Sequence, residues 1–127
     1  MAYVTIIAML ALIEYLYFGV QVGGARGRTG VAAPAVSGDP DFERVYRAHQ
    51  NTLEQLIIFI PALFATAYYA NELFAAAAGV TFLIGRALYF RTYARDAEKR
   101  GPGMLITAAA NIALIAGGLI GALIAIL

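Results

Sequence analysis

MLITAAANIALIAGGLIGALIAIL, residues 104–127, carries no charged side chain from beginning to end. A transmembrane helix needs about 20 consecutive, predominantly apolar residues, so this stretch is long enough to cross a bilayer. Three more apolar stretches precede it, at residues 1–23, 56–70 and 73–85. Each of them is long enough to span once its amphipathic flanks are included. The sequence therefore predicts a membrane protein with four transmembrane helices.

The composition of the whole chain agrees with this prediction. Of 127 residues, 61% are hydrophobic and 13% are charged, and that charged fraction is about half the value usual in a soluble domain. The formal net charge of +1 offers no basic excess to attract nucleic acid, so no nucleic-acid partner is expected. The chain has no cysteine, and one histidine cannot build a metal site, so no metal is predicted.

Glycine, proline and polar residues mark the connections between the helices. Within a single domain we predict four helices, at about residues 2–23, 41–70, 72–98 and 103–126. Asp41 is the predicted N-cap of the second helix. The segment GGARGRTGVAAPAVSGDP, residues 23–40, has no apolar periodicity and is predicted to be a loop. Because the other two connections are short, consecutive helices are antiparallel, and the predicted fold class is an all-α integral membrane protein, an up-down four-helix bundle.

The basic residues fall in two clusters, around the first and third connections. They are Arg26, Arg28, Arg44 and Arg47, followed by Arg86, Arg91, Arg95, Lys99 and Arg100. In a four-helix topology both clusters lie on the same side of the membrane, and the positive-inside rule places that side in the cytoplasm. We therefore expect the first and third loops to be cytoplasmic and both chain ends to lie outside.

Two of the helices carry polar side chains along one face near the cytoplasmic boundary. On the second helix, Arg47, Asn51 and Glu54 stand at positions i, i+4 and i+7. The corresponding stripe of the third helix, at i, i+3, i+7 and i+14, consists of Arg86, Tyr89, Tyr93 and Arg100. Ionisable groups at membrane depth are normally paired or line a water-filled cavity. Two interpretations stay open: an interhelical pair such as Glu54 with Arg86, and a site for a zwitterionic ligand with carboxylates, an ammonium and amides.

Two further titratable side chains stand apart from these stripes. Glu14 interrupts the first apolar stretch, either as a proton-coupling site or as a carboxylate bonded by a polar side chain of a neighbouring helix. His49 follows Arg47 by two residues and therefore points away from the Arg47 stripe. We expect the His49 side chain to be hydrogen-bonded within the protein or solvated.

Two segments resemble one known family. FERVYRAHQNTLEQLIIFIPAL, residues 42–63, is similar to the MAPEG superfamily, the membrane-associated proteins of eicosanoid and glutathione metabolism. GRALYFRTYARDAEKR, residues 85–100, resembles the third-helix pattern of its microsomal glutathione transferase 2 and leukotriene C4 synthase branch. The resemblance covers nearly the whole chain. The NTLEQL segment and the arginine-rich composition, with the single lysine Lys99, resemble bacterial members, which favours a bacterial cytoplasmic membrane over the endoplasmic reticulum.

The resemblance implies a homotrimer of four-helix subunits that holds glutathione between adjacent subunits near the cytoplasmic face. Glutathione is then a co-substrate, and the second substrate is a lipophilic electrophile or a lipid hydroperoxide that enters from the bilayer. The positions that match glutathione-binding residues of the family are Arg26, Arg47, His49, Asn51, Glu54, Tyr89 and Tyr93. Arg100 matches the arginine that relatives use to stabilise the glutathione thiolate, and it is the predicted catalytic residue of a glutathione transferase.

Two positions depart from the leukotriene synthase pattern. Gln55 stands where that branch has a tyrosine, and Gly27 stands where it has a second consecutive arginine, which Arg28 can replace. These departures favour a generalist transferase or peroxidase over leukotriene synthesis. Two other functional classes stay open, a nonenzymatic lipid-binding scaffold of the same superfamily and a small proton-coupled multidrug transporter that would use Glu14.

Overall fold

The computed structural model describes residues 1–127 and is all-helical. Its four long helices are α1 (Ala2–Thr29), α2 (Pro40–Tyr69), α3 (Glu72–Tyr93) and α4 (Gly101–Ala125), and a short 3₁₀ helix (Ala97–Arg100) precedes α4. Each long helix is long enough and apolar enough to cross a membrane. The four-helix prediction is therefore confirmed as to the number and type of elements.

Contacts between helix ends establish the up-down arrangement. The backbone N–H of Tyr3 at the start of α1 donates to the Glu72 carboxylate at the start of α3. The Arg44 guanidinium near the start of α2 donates to the backbone oxygen of Ala94, just after α3. Gly121, near the end of α4, packs against the backbone of Tyr69 at the end of α2. Consecutive helices therefore run antiparallel, as predicted, and both basic clusters lie at one end of the bundle.

The bundle exposes most of its apolar surface. Only 30 of 127 residues are buried, and Leu16 and Leu105 keep 68% and 71% of their surface exposed. Contiguous apolar surface of this extent marks contact with lipid or with another protein chain. The interior is held by stacked aromatic pairs, Phe59 with Phe82 and Phe18 with Phe90, whose ring centroids lie 3.8 and 4.0 Å apart. Four apolar helices with an apolar exterior fit a multi-pass integral membrane protein.

The first helix is longer than predicted. It continues through the glycine-rich segment to Thr29 and ends at Gly30, which adopts φ 76° and whose N–H donates to the Arg26 oxygen at 2.9 Å. Burial explains the extension, because Val22 and Ala25 pack into the core beside α2. Tertiary packing outweighs the low helix propensity of glycine here. The predicted helix end at residue 23 was wrong, since Gly30 is the glycine that terminates α1.

The N-cap of α2 lies two residues before the predicted one. Asp39, rather than Asp41, is the N-cap, and its carboxylate accepts from the backbone N–H groups of Asp41 and Phe42 at 2.9 and 3.2 Å. Pro40 takes the first helical position, where it has no N–H to leave unpaired and its fixed φ already fits a helix. Asp41 instead pairs with Arg44.

The connection from α3 to α4 departs most from the predicted helices. The third helix ends at Tyr93 rather than at residue 98, and α4 begins at Gly101 rather than at residue 103. In the 3₁₀ helix between them, the Asp96 carboxylate accepts from the N–H of Glu98 at 3.0 Å and caps its start. The chain thus changes direction before the last basic residues, which alters how Arg100 reaches the site described below.

Candidate functional site

A cleft of about 570 Å³ opens between α2, α3 and the loop that precedes α2. Its volume lies in the range typical of small-molecule sites. Five of the predicted glutathione-binding residues, Arg47, Asn51, Glu54, Tyr89 and Tyr93, line it together. The stripe predicted on the second helix is therefore confirmed as one continuous wall of this cleft. The other lining residues are Val36, Ser37, Glu43, Tyr46 and Gln50.

Arg47 and Glu54 supply opposite charges to the cleft and do not form an ion pair with each other. Both side chains are exposed, and the ion pairs within the chain, Met1 with Glu72 and Arg44 with Asp41, involve neither of them. They lie two helical turns apart, so an extended ligand could meet both at once. A free guanidinium and a free carboxylate at this spacing can bind a carboxylate and an ammonium of one ligand.

Arg86 does not form the interhelical pair with Glu54 that one reading of the sequence allowed. Its side chain is fully buried, at 0% exposure. One guanidinium nitrogen, Nη2, donates to Asn51 Oδ1 at 2.9 Å and to Thr52 Oγ1 at 3.0 Å. Arg86 therefore bonds two neutral oxygens of α2, while its buried Nε has no hydrogen-bond partner. Glu54 is left free to face the cleft.

Two tyrosines of α3 form the wall opposite α2. The rings of Tyr89 and Tyr93 stack with centroids 5.4 Å apart and planes 9° from parallel. Tyr89 is only 4% exposed yet still lines the cleft, while Tyr93 is half-buried. One turn of helix separates them, as the spacing predicted. They give the cleft a flat aromatic surface with two hydroxyl groups.

Arg100 reaches the edge of this site by a route that the sequence did not predict. Its expected position on the α3 stripe was wrong, because α3 ends at Tyr93 and the chain turns before residue 100. The 3₁₀ helix nevertheless brings the Arg100 guanidinium carbon to 5.8 Å from the centroid of the Tyr93 ring. The side chain is exposed, and one of its nitrogens donates to the Ala97 oxygen at 3.1 Å. Arg100 is therefore an exposed cation at the rim of the cleft, beside Tyr93.

Arg26 does not line the cleft, in contrast to its predicted place among the ligand-binding residues. It donates to the backbone oxygens of Val31 and Ala35 at 3.3 and 2.7 Å, and its guanidinium lies 4.7 Å from the centre of the Phe42 ring. Because α1 extends to Thr29, Arg26 sits inside the helix and fastens the following loop. That loop carries Val36, which lines the cleft. Within one chain, Arg26 is therefore connected to the site only through this loop.

His49 also lies away from the cleft of its own chain. Its ring stacks on Tyr15 of α1, with centroids 4.3 Å apart, and packs beside Gly19. This is the orientation that the two-residue offset from Arg47 predicted. The eight predicted site residues thus divide into six at or beside the cleft and two, Arg26 and His49, on the α1 side of the subunit.

Glu14 lines a second, separate cavity of about 440 Å³ between α1 and α3. Its Oε1 is buried and has no hydrogen-bond partner, so the expected polar side chain from a neighbouring helix is not present at that atom. Arg91 and Arg95 line the same cavity. Glu14 therefore faces away from the cleft that Arg47 and Glu54 line.

Several cleft residues were missing from the sequence prediction, for two different reasons. Gln50 stands three residues after Arg47 and four before Glu54, so helical spacing alone could have placed it on the same face. Val36 and Ser37 belong to an irregular loop, where no periodicity indicates which side chains face a ligand. Gln55, noted as a departure from the family, faces α4 instead, where its Oε1 accepts from Asn111 Nδ2 at 3.0 Å.

Comparison with known proteins identifies the family. The MAPEG family model matches residues 4–120. An uncharacterized protein of Synechocystis sp. is 42% identical over 118 residues, covering 93% of this chain and 86% of the relative. Microsomal glutathione S-transferase 2 of Bos taurus is 38% identical over 117 residues, covering 92% and 80%. The chain belongs to the MAPEG family. Leukotriene C4 synthase of Bos taurus is a further relative, 34% identical over 117 residues, with 92% and 78% covered.

The MAPEG match includes the whole candidate site. Its limits, residues 4–120, enclose every residue that lines the cleft, as well as Arg100 at the rim. Similarity to a cyanobacterial protein as well as to the two mammalian enzymes is consistent with a bacterial MAPEG member. The resemblance drawn from the two motifs is therefore confirmed at the level of the family.

Proposed function

We propose that this MAPEG protein is a membrane-bound glutathione transferase that also reduces lipid hydroperoxides at the expense of glutathione. The observation that carries the proposal is the cleft in which Arg47, Asn51 and Glu54 face Tyr89 and Tyr93 with their charges unpaired. Relatives named as glutathione transferase and leukotriene C4 synthase support a glutathione-using enzyme. We place the cleft at the cytoplasmic face of a bacterial cytoplasmic membrane, because the basic clusters lie at that end.

Each cleft residue has a role that matches one group of glutathione. The Glu54 carboxylate suits the ligand's ammonium, and the Arg47 guanidinium suits one of its two carboxylates, since both contacts are charge-assisted hydrogen bonds. Asn51 suits an amide of the tripeptide backbone. The hydroxyl groups of Tyr89 and Tyr93 complete the polar wall, while their rings cover the apolar part of the ligand.

Arg100 is the proposed catalytic residue, because the reaction needs a thiolate. A free thiol has a pKa near 8.5, so only a few per cent is ionised at neutral pH. A guanidinium near the sulfur favours the anion and lowers that pKa. In the transferase reaction the thiol gives its proton to water, and the thiolate sulfur then forms a bond to an electrophilic carbon. The bond from that carbon to its leaving group breaks, and the leaving group departs with the bonding electron pair. In the peroxidase reaction two glutathione molecules and one hydroperoxide yield the disulfide, an alcohol and water.

We further propose that the active unit is a homotrimer in which neighbouring subunits share each site. Arg26 and His49 match glutathione-binding positions of the family but lie on the α1 side of the subunit, off the cleft of their own chain. Both could meet the same ligand only if a second copy places its α1 side against the cleft. The large exposed apolar surface supplies an interface for such an assembly.

Replacing Glu54 by glutamine should weaken glutathione binding roughly 10- to 100-fold, because a charge-assisted hydrogen bond contributes about 1.5–3 kcal/mol. Calorimetric titration of the detergent-solubilised protein with glutathione measures the change. Glu98→Gln is the matched control, since Glu98 is exposed on the 3₁₀ helix outside the cleft. Equal affinities for the two variants would contradict the assignment of Glu54. Absence of wild-type binding at millimolar glutathione would favour the lipid-binding scaffold instead.

Mixed oligomers test whether two chains share a site. We expect His49→Ala and Glu54→Gln each to lower conjugation activity when expressed alone. When the two are co-expressed in equal amounts, about a quarter of the sites should combine a native Glu54 with a native His49 from the neighbouring chain, as a cyclic oligomer requires. Activity of the mixture above the mean of the two single variants supports the shared site. A mixture no more active than that mean places both residues in one chain's site.

A further inference from the structure

The fully buried Arg86 does not line the cleft but contacts two residues that do, Asn51 and Tyr89. It lies one turn before Tyr89 on α3 and is 0% exposed. A buried charge in a membrane-spanning helix is costly, so such residues are retained where they do something that an apolar side chain cannot. The roles proposed above for the cleft residues do not use Arg86.

The bonds of Arg86 fix which atom of Asn51 points toward it. Arginine carries five N–H donors and no acceptor. The Asn51 atom that lies 2.9 Å from Arg86 Nη2 must therefore be the oxygen, Oδ1. Asn51 Nδ2 then points away from Arg86 and donates to no group of the chain, although Asn51 lines the cleft. Asn51 consequently offers the cleft a donor and keeps its acceptor occupied.

The remaining partners of Arg86 have the same polarity. The Thr52 hydroxyl donates to the Ala48 oxygen at 2.9 Å, and the Thr107 hydroxyl donates to the Gly103 oxygen at 2.8 Å. Each hydroxyl has thus used its proton and presents only a lone pair to Arg86, at 3.0 and 3.5 Å. In each of these hydrogen bonds Arg86 is the donor and its partner is the acceptor. The donor and acceptor roles within the network are therefore fixed.

Arg86 also supports the opposite wall of the cleft. Its guanidinium carbon lies 4.2 Å from the centre of the Tyr89 ring, within cation–π distance. Tyr89 in turn stacks on Tyr93. From its place on α3, Arg86 therefore bonds across to Asn51 of α2 and packs on Tyr89 of its own helix. One side chain thus contacts both walls of the cleft.

We propose that Arg86 is a positioning residue that holds Asn51 with its NH₂ group toward the cleft. The site is thereby committed to a ligand that places a carbonyl or carboxylate oxygen against Asn51. Naming that ligand as glutathione rests on the proposed function, whereas the orientation of Asn51 does not. The recognition of an acceptor is thus imposed by a residue that never touches the ligand.

Nuclear magnetic resonance of the ligand-free protein tests the orientation without glutathione. Asparagine occurs only at positions 51, 71 and 111, so labelling asparagine with ¹⁵N gives three side-chain amide groups, each assignable by single substitution. We expect Arg86→Gln to shift the Asn51 amide and leave the Asn71 amide unchanged, because glutamine can either donate to or accept from Asn51. Arg86→Lys, which again only donates, should restore the wild-type position in part. If neither substitution shifts the Asn51 amide resonance, the proposal is overturned.

Calorimetry with glutathione tests the consequence for binding, and three variants separate positioning from stability. Asn51→Asp keeps the acceptor for Arg86 but removes the donor, so it should raise the Kd about 10-fold or more while keeping the wild-type unfolding temperature. Arg86→Gln should also raise the Kd. Thr52→Val breaks an Arg86 bond without touching Asn51, and its Kd should stay near wild type.

The outcomes distinguish the two proposals from each other. A Kd raised equally by Thr52→Val and Arg86→Gln would show that the network acts through stability alone, which overturns the positioning role. An Asn51→Asp protein that binds glutathione as well as wild type overturns the need for a donor. If wild type binds no glutathione while the Asn51 amide responds to Arg86→Gln, the proposed function fails and the orientation stands.

Discussion

Arg100→Ala is expected to lower the rate of glutathione conjugation at pH 7 roughly 10- to 20-fold at saturating glutathione. This is the fall in thiolate fraction when a bound thiol with a pKa near neutrality returns to the ordinary value of about 8.5. Each pKa unit corresponds to about 1.4 kcal/mol of preferential interaction with the anion, which one close guanidinium can supply. The ultraviolet absorption of bound thiolate, wild type against variant, measures the effect directly.

The pH dependence of the same variant gives a second, independent check. A lowered thiol pKa is an advantage only at pH values below the ordinary pKa, since above it the thiol ionises unaided. The deficit of Arg100→Ala should therefore be largest near pH 7 and should shrink as the pH rises beyond about 9. A deficit that stays constant across this range would mean that Arg100 acts in binding or folding and not in ionising the thiol.

Arg95→Ala is the matched control for Arg100→Ala. Both arginines are exposed and lie close together in the connection between α3 and α4. Arg95 lines the cavity between α1 and α3, however, and not the cleft beside Tyr93. We expect wild-type thiolate absorption for Arg95→Ala. Equal losses in the two variants would indicate a general effect of positive charge at this end of the bundle.

The sequence predicted the cleft well wherever a single helix carries the evidence. Arg47, Asn51 and Glu54 were assigned to one face because helical geometry relates residues four and three apart regardless of the surrounding structure. The same geometry placed His49 on another face. The number of helices and their antiparallel order followed from apolar length and short connections, since the bilayer admits few alternatives.

The predictions that failed depended on tertiary contacts. The α1 helix continues past Gly23 because Val22 and Ala25 are buried against α2, and no local signal reports that burial. Arg100 was placed by extending α3 too far, and it reaches the site only through a turn that Asp96 caps. Of the two interpretations left open for the polar stripes, the Glu54 and Arg86 pair is not formed, because Arg86 bonds the neutral oxygens of Asn51 and Thr52 instead. Nothing in the sequence indicated that Thr52 faces α3.

The second large effect expected is from Gly103→Ala, which acts on the fold and the site together. A Cβ atom at Gly103 would lie 2.5 Å from the backbone nitrogen and 2.6 Å from the Cα of Tyr89. Backbone atoms cannot rotate away as a side chain can, so α4 must separate from α3. Overpacking of this kind destabilises by about 1–3 kcal/mol, and the absence of any flexible neighbour favours the upper end.

Gly101→Ala separates this steric effect from helix propensity. Gly101 begins the same helix, has helical φ, and an added Cβ would meet no atom within 4 Å. Alanine there should leave the unfolding temperature unchanged or raise it, because it restricts the unfolded chain. For Gly103→Ala we expect a fall of several degrees and, since Tyr89 moves with α3, a weaker affinity for glutathione. Similar unfolding temperatures for the two variants would show that α4 does not pack closely against the Tyr89 backbone at Gly103. The position of Tyr89 in the cleft would then not depend on this contact.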